Sequence, residues 1–381
     1  MKRNFCLFFL LTGFVADLSS QSEPVDQPYV QTVVKDVPVQ YRGRYYYRNA
    51  DTLLPSIQPG KKTLKKISGF QVIKSGSFKP DIQDGYDSVL NITGTVKTAP
   101  FMIQSTEVSN AEYKLFLTEM KDRVYYPDTN CWTESKDKPN PMRHYYFQSE
   151  AYNDYPVVGV SHWQAIQYCQ WLEEKLSRKL SNKTGTEYRL QVGLPTESEW
   201  LCAWNQTITA YMEKLLQKNG QNATRDRNYL DFVFGPNGYR CNFGDIQTER
   251  LGNAKQYGNG HGIWAPVKTT AYPNTGGLYS LAGNVSEWTD TRAQGNLYNR
   301  MEYIHTTSGA IIRNTQEIID SIKLAGYLHT EDNLQSYYAV KGGSFAQELY
   351  YIQPAAMEFV HEGLVRCYLG FRPVIRFYKK H

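Results

Sequence analysis

The sequence predicts an α+β domain, rich in loops and with little regular secondary structure. Three observations carry that expectation. Ser109-Asn-Ala-Glu112, Ser161-His-Trp-Gln164 and Thr196-Glu-Ser-Glu199 have the pattern of helix-opening capping boxes. In such a box the hydroxyl and the acid or amide satisfy each other's backbone N–H groups. Alternating runs such as Phe70-Gln-Val-Ile73 read as short strands. Beyond Glu199 the chain is dense in Gly, Asn, Pro and aromatic residues, which favour turns and irregular backbone.

Residues 1–20 read as an export signal. Lys2 and Arg3 precede a nearly continuous apolar run from Phe5 to Ala16, and Asp17-Leu-Ser19-Ser20 supplies small residues suited to cleavage. The run is too short to span a bilayer, which takes roughly 18–20 apolar residues, and no later segment approaches that length. Cys6 lies inside the run, so the cysteine that follows the cleavage point in bacterial lipoproteins is missing. The chain is therefore expected to be exported, to the periplasm or an outer-membrane-associated location, without a transmembrane span. Residues 21–66 are polar, carry five prolines and the run Tyr41-Arg-Gly-Arg-Tyr45-Tyr-Tyr, and read as an extended tail. Lys61-Lys-Thr-Leu-Lys65-Lys66 is assigned to its solvated linker.

The domain is expected over residues 67–381. Phe70 to Phe78 reads as an alternating strand followed by a turn. The helix after Ser109 should run about three turns. The one opened by Ser161 places Ala165, Cys169, Leu172 and Leu176 at helical spacing, the best amphipathic pattern in the chain, with Cys169 as a small buried hydrophobe. Two segments read as insertions, near 206–240 and near 291–338, the latter with a short helix near Thr315 to Ala325. Insertions on a rigid scaffold often carry binding specificity.

Composition narrows the function. The net charge is +5, but Lys and Arg are scattered among acidic residues, so no nucleic-acid-binding stripe forms. The 30 Tyr against 16 Phe suit a protein that docks on others, because tyrosine is amphipathic at interfaces. The competing reading is that they pack an irregular core and donate hydroxyls to loop backbone. Beyond the signal stand Cys131, Cys169, Cys202, Cys241 and Cys367, an odd set with neither metal-knuckle nor Cys-x-x-Cys spacing. No Ser-His-Asp arrangement, phosphate-cradling loop or paired-carboxylate signature stands out.

Five strings then occur in order over roughly residues 70–378: Tyr155-Pro-Val-Val-Gly-Val-Ser161, Gly193-Leu-Pro-Thr196-Glu-Ser-Glu199-Trp200, Ala282-Gly-Asn-Val-Ser-Glu287-Trp288, Lys341-Gly-Gly-Ser-Phe345 and Gly370-Phe-Arg372. Together they resemble the formylglycine-generating enzyme, or sulfatase-modifying-factor, domain. The resemblance implies that fold, which is related to the C-type-lectin-like fold. In the enzymes, the segment after Gly-Gly-Ser-aromatic supplies two cysteines that bind copper(I) and handle the substrate cysteine oxidised with O₂. Soft thiolates suit copper(I). At the matching positions stand Gln347 and Ile352, so copper is not expected and the oxidase chemistry should be lost. The family's calcium ions would map, at one site, onto Ser280, the carbonyls of Gly283 and Val285, and Glu287. At a second, weaker site they would map onto Asn242, the carbonyl of Phe243, and Asn259. Calcium prefers several oxygens and more than one carboxylate. The alternative is that Glu287 and Asn284 hydrogen-bond the surrounding loop backbone.

A narrower resemblance lies in Tyr126-Pro-Asp128-Thr-Asn-Cys-Trp132, Pro141-Met142-Arg-His-Tyr-Tyr-Phe147 and Tyr350-Tyr351-Ile-Gln-Pro354. These are similar to the branch found in gliding-motility and type IX secretion lipoproteins, which keep the fold and lack the copper cysteines. That implies a non-catalytic scaffold whose partners are envelope proteins of a secretion or motility complex, associated with the outer membrane indirectly. Two other readings stand beside it. One is an oxidase, of the formylglycine-generating type or iron-dependent, although the seven His show no 2-His-1-carboxylate spacing within one element. The other is a peptide- or ligand-binding module whose cleft would use Arg372 and Tyr351.

Overall fold

The computed structural model describes residues 57–78, 96–132, 140–181, 188–207, 234–235, 238–239, 241–242, 265–268, 277–292, 336–347, 349–352, 354 and 357–379. In chain order the elements are α1 (Lys61–Leu64), β1 (Phe70–Ile73), β2 (Gly76–Phe78), β3 (Val96–Thr98), β4 (Phe101–Gln104), α2 (Asn110–Met120), α3 (Met142–Tyr145), α4 (His162–Ser181), β5 (Tyr188–Gly193) and α5 (197–207). There follow β6 (Phe234–Gly235), β7 (Gly238–Tyr239), β8 (Ser286–Arg292), β9 (Tyr337–Lys341), β10 (Glu358–His361), β11 (Leu369–Gly370) and β12 (Val374–Lys379). The result is mixed helix and sheet with long irregular connections, as the sequence predicts.

All three capping boxes form. Ser109 N donates to Glu112 Oε2 at 2.9 Å, Ser161 N to Gln164 Oε1 at 2.9 Å and Thr196 N to Glu199 Oε2 at 2.8 Å, and each hydroxyl accepts the return bond. α2 is 11 residues long, the expected three turns, and stops where Lys121 turns left-handed at φ 57°. Each capping acid or amide also reaches outside its own helix. Glu112 accepts from Gln104 of β4, Gln164 donates to the carbonyls of Val124 and Tyr126, and Glu199 pairs with Arg376 of β12. The boxes therefore orient the helices as well as starting them.

One sheet runs β1-β4-β12-β5 and is antiparallel throughout; the other runs β10-β9-β8-β11, with β8 and β11 parallel. Where the sequence reads one strand followed by a turn across Phe70 to Phe78, the structure has a second strand, β2, because Gly76–Phe78 finds β3 as an antiparallel partner. A first core cluster joins α2 and α4 to both sheets, through Tyr113, Phe116, Tyr168, Leu190, Val340 and Phe377 among others. Cys169 lies inside it, 1% exposed, as its helical position implies. A second cluster gathers Trp200, Leu281 and Ile352, and a third Trp132, Tyr146, Val158 and Val285.

Tyrosines of the core behave as packing groups with a polar tip. Tyr113 and Tyr146 are 0% and 1% exposed, and their hydroxyls donate to the carbonyls of Tyr125 and Pro156, both at 2.8 Å. This fits the packing alternative for these two residues. The Lys61 to Lys66 stretch, assigned to a solvated linker, is the short helix α1. Its Leu64 packs on the core while Lys61 and Lys65 stay exposed, and Ile57 N–H donates to Phe377 O at 2.8 Å. The expectations for the signal, most of the tail, most of both insertions and the helix near Thr315 lie outside the described residues. Among the described residues no helix is long and apolar enough to cross a membrane.

Candidate functional site

The signature segment leaves β9 at Lys341, whose buried ammonium donates to Pro354 O at 2.6 Å and lies 5.3 Å from the centre of the Trp200 ring. Gly342 and Gly343 then turn at φ +89° and +62°, where a side chain is strained. A Cβ on Gly343 would stand 2.7 Å from the Tyr351 carbonyl carbon, so only glycine lets this turn lie on the backbone of 351–352. Phe345 N–H donates to Asn284 O at 3.0 Å and Gly283 N–H to Gly342 O at 2.7 Å, which seats the segment on the Gly-Asn-Val string.

Gln347 and Ile352 occupy unlike surroundings. The Gln347 amide oxygen accepts from Ser286 Oγ at 2.8 Å and Ser344 Oγ at 3.0 Å, while its Nε2 donates to Glu358 Oε2 at 3.0 Å. Arg366 pairs with the other oxygen of Glu358. The amide thus bridges β8, the signature turn and β10. Ile352 is 0% exposed in the cluster of Trp200, Trp204 and Cys202, as an ordinary core aliphatic. An amide held on three sides and a buried hydrocarbon offer no soft ligand.

Below this segment lies a buried charged hub. Glu287 of β8 faces Arg372: Nε donates to both carboxylate oxygens at 2.8 Å and Nη2 to Oε1 at 2.5 Å, while Trp200 Nε1 donates to Oε2 at 3.1 Å. The rest of the guanidinium donates to the carbonyls of Gln104, Ser105 and Tyr279. Burial pushes the Glu287 carboxyl upward and the neighbouring guanidinium pulls it back. Asn284, at φ +65°, donates to Glu107 Oε1 at 2.9 Å and to Ala265 O, and accepts from Ala265 N at 2.9 Å. Glu107 is 0% exposed, and burial raises its carboxyl to about 8 although Arg372 and the Asn284 bond oppose the rise. Among the described residues its Oε2 has no hydrogen-bond partner, and neither has the buried Ser280 Oγ.

The first expected calcium set does not suit the ion well. Its one carboxylate, Glu287, already accepts four hydrogen bonds, three of them from a guanidinium that would repel a second cation. Ser280 Oγ is buried in the same region, and Gly283 is confined by backbone: a Cβ there would meet Asn242 O at 2.2 Å. Of the second set, the Asn242 amide donates to Asn284 Oδ1 at 3.4 Å, and Phe243 and Asn259 lie outside the described residues. Asn284 bonds loop backbone, as the alternative reading holds, whereas Glu287 binds a side-chain cation that sequence reasoning did not pair with it.

Arg372 is fully buried in this hub rather than lining a cleft, and Tyr351 is half-buried beside Gly343. His162 is buried, with Nε2 3.1 Å from Thr289 O and its ring stacked on Tyr338 at 3.6 Å; burial lowers it to about 3, so it stays neutral. Among the described residues no group of three or more His, Cys, Asp or Glu is arranged to hold a metal ion. Glu107, Glu358 and Arg366 were not singled out in the sequence. Glu107 stands two residues before the capping box Ser109-Asn-Ala-Glu112, and nothing linear marks the other two.

Residues 56–377 match the model of the sulfatase-modifying factor enzyme 1-like domain, and the chain belongs to that family. Its fold is similar to that of the Treponema denticola variable protein 1, at 18% identity, TM-score 0.44, over 81% of this chain and 94% of that one. CarF is similar at 16% identity, TM-score 0.45, over 81% and 98% of the two chains. PvdO from Pseudomonas aeruginosa is similar at 15% identity, TM-score 0.45, over 82% and 96%. No curated protein matches the chain at a significant level.

Proposed function

We propose that this chain is a non-catalytic member of the family, an exported scaffold that binds other cell-envelope proteins within or beside the type IX secretion and gliding-motility machinery. The observation that carries the non-catalytic reading is the state of the two copper positions. Gln347 is locked by Ser286, Ser344 and Glu358, and Ile352 is a core residue, so neither position supplies a thiolate. Support for partner binding comes from the string that carries the narrower resemblance. Its Tyr126 and Tyr145 are 49% and 61% exposed, large aromatic surfaces of the kind enriched at protein interfaces.

The partners are envelope proteins, and outer-membrane association is through them. No metal is assigned to the scaffold, and calcium at the Ser280 to Glu287 site is given a minor place because Arg372 already neutralises Glu287. Cross-linking mass spectrometry on intact cells, combined with secretion and gliding assays in a deletion strain, tests the reading. Cross-links to secretion components and loss of secretion or gliding are expected. Intact secretion and gliding with no such neighbour would refute it.

A further inference from the structure

We propose that Cys131 and Cys367 are a disulfide-forming pair, a covalent staple between the loop before α3 and the loop before β11. Sequence spacing gives no hint of it, because the residues come from opposite ends of the domain. The fold brings them to one cluster: both pack at the margin of Trp132, Tyr146, Val158 and Val285. Gly159 is the strut between them. Cys131 Sγ lies 2.9 Å from where a Cβ on Gly159 would stand, and Gly159 N–H donates at 3.1 Å to the carbonyl of Arg366, the residue bonded to Cys367. Gly159 O in turn accepts from Asp128 N at 2.7 Å, and Asp128 O accepts from Cys131 N at 3.4 Å, which ties the three segments into one unit. The two thiols also sense each other: Cys131 is pushed well above the ordinary thiol range first by burial, then by Cys367 and Asp128.

The pairing sorts the five cysteines beyond residues 1–20 into one pair and three others. Cys169, Cys202 and Cys241 are buried in the other two clusters, between 1% and 3% exposed, whereas among the described residues Cys131 and Cys367 are the two thiols partly open to solvent. Both sit on short irregular segments, a four-residue 3₁₀ turn and a loop turn, which can adjust to the Cα separation of roughly 4.4–6.8 Å that a disulfide requires. The oxidant is an external disulfide, either a small molecule or an oxidised dithiol protein. One thiolate of the pair attacks it, forming a mixed disulfide and releasing one thiol. The second thiolate then attacks the first cysteine's own Sγ in that mixed disulfide, closing Cys131–Cys367 and expelling the second half of the oxidant as a thiol, so that two electrons and two protons pass to the oxidant. The staple would lie beside the Arg366–Glu358–Gln347 chain of contacts.

The inference stands independently of the envelope role, because the test uses purified protein. The full chain is equilibrated with oxidised and reduced glutathione or with dithiothreitol, alkylated, digested without reduction and mapped by mass spectrometry. The expected result is one linked peptide joining Cys131 to Cys367 in the oxidised sample, lost in Cys131→Ser and in Cys367→Ser. The expected rise in Tm of oxidised over reduced protein is roughly 5 °C or more. Alkylated or separately glutathionylated Cys131 and Cys367 after oxidation, or links from either to Cys6, would overturn the proposal. The wild-type map decides the matter even where a serine variant fails to fold.

Discussion

Arg372 sets its guanidinium against Glu287, with Nε 2.8 Å from both carboxylate oxygens, at a place where neither side chain touches solvent. The two residues come from β8 and from the short connection between β11 and β12, so their pairing ties the second sheet to the first. Removing one partner of a buried pair leaves a stranded charge, at a cost of about 3–5 kcal/mol. Arg372→Leu should therefore lower stability by that amount in chemical denaturation. Arg372→Leu with Glu287→Leu should recover a large part of the loss, and an additive double variant would contradict the assignment.

The buried acid and the buried imidazole give stability opposite slopes against pH. Glu107, raised from 4.5 to about 8, holds a proton in the folded state that the unfolded chain releases, so stability falls as pH rises through that window. His162, lowered from 6.5 to about 3, is neutral when folded and takes a proton when unfolded, so stability falls as pH drops below 6.5. Between about 4.5 and 6.5 the slopes of these two groups oppose each other, while Asp290, raised by burial to about 6, adds to the fall with rising pH below that value. Glu107→Gln should remove an alkaline decline of about 2–3 kcal/mol over the two pH units between pH 6 and pH 8, read from denaturation curves taken at those two values. An unchanged decline in that variant would show the proton to be elsewhere.

Gln347 acts as a clamp rather than as a vacant reactive position. Gln347→Ala removes an acceptor used by Ser286 and Ser344 and a donor to Glu358, and should cost about 1–2 kcal/mol. A fall in Tm of a few degrees, measured by calorimetry, is the expected outcome.

Calcium should matter little. With Glu287 engaged by Arg372 and Trp200, a chelator is expected to leave the Tm of the purified chain unchanged, and added calcium to raise it by no more than a degree or so. A rise of many degrees with micromolar calcium would restore the Ser280 to Glu287 site as a metal centre.

Local rules made part of this architecture readable in the chain. The capping boxes at Ser109, Ser161 and Thr196 were visible because hydroxyl and acid or amide stand three residues apart, and Cys169 was legible from helical spacing. The strand at Gly76 was not, since its identity depends on a partner twenty residues away, at Val96 to Thr98. The tertiary uses of Glu112, Gln164 and Glu199 escaped for the same reason: sequence shows the cap, while Gln104, Val124 and Arg376 arrive from elsewhere. At the site, Gln347 and Ile352 are legible because the Lys341-Gly-Gly-Ser-Phe345 string fixes where the family's two cysteines would fall, whereas the surroundings of Glu107 and Glu358 and the shared cluster of Cys131 and Cys367 are set by packing between distant segments.

The proposal that this chain does not perform the copper oxidase reaction is tested most directly by one measurement. Purified full chain is supplied with copper(I), O₂, a thiol reductant and a Cys-x-Pro-x-Arg peptide; bound copper is counted after desalting, and the peptide is weighed by mass spectrometry. The account predicts no copper retained in stoichiometric amount and no conversion of the cysteine to formylglycine. One copper per chain with turnover of the peptide would contradict it.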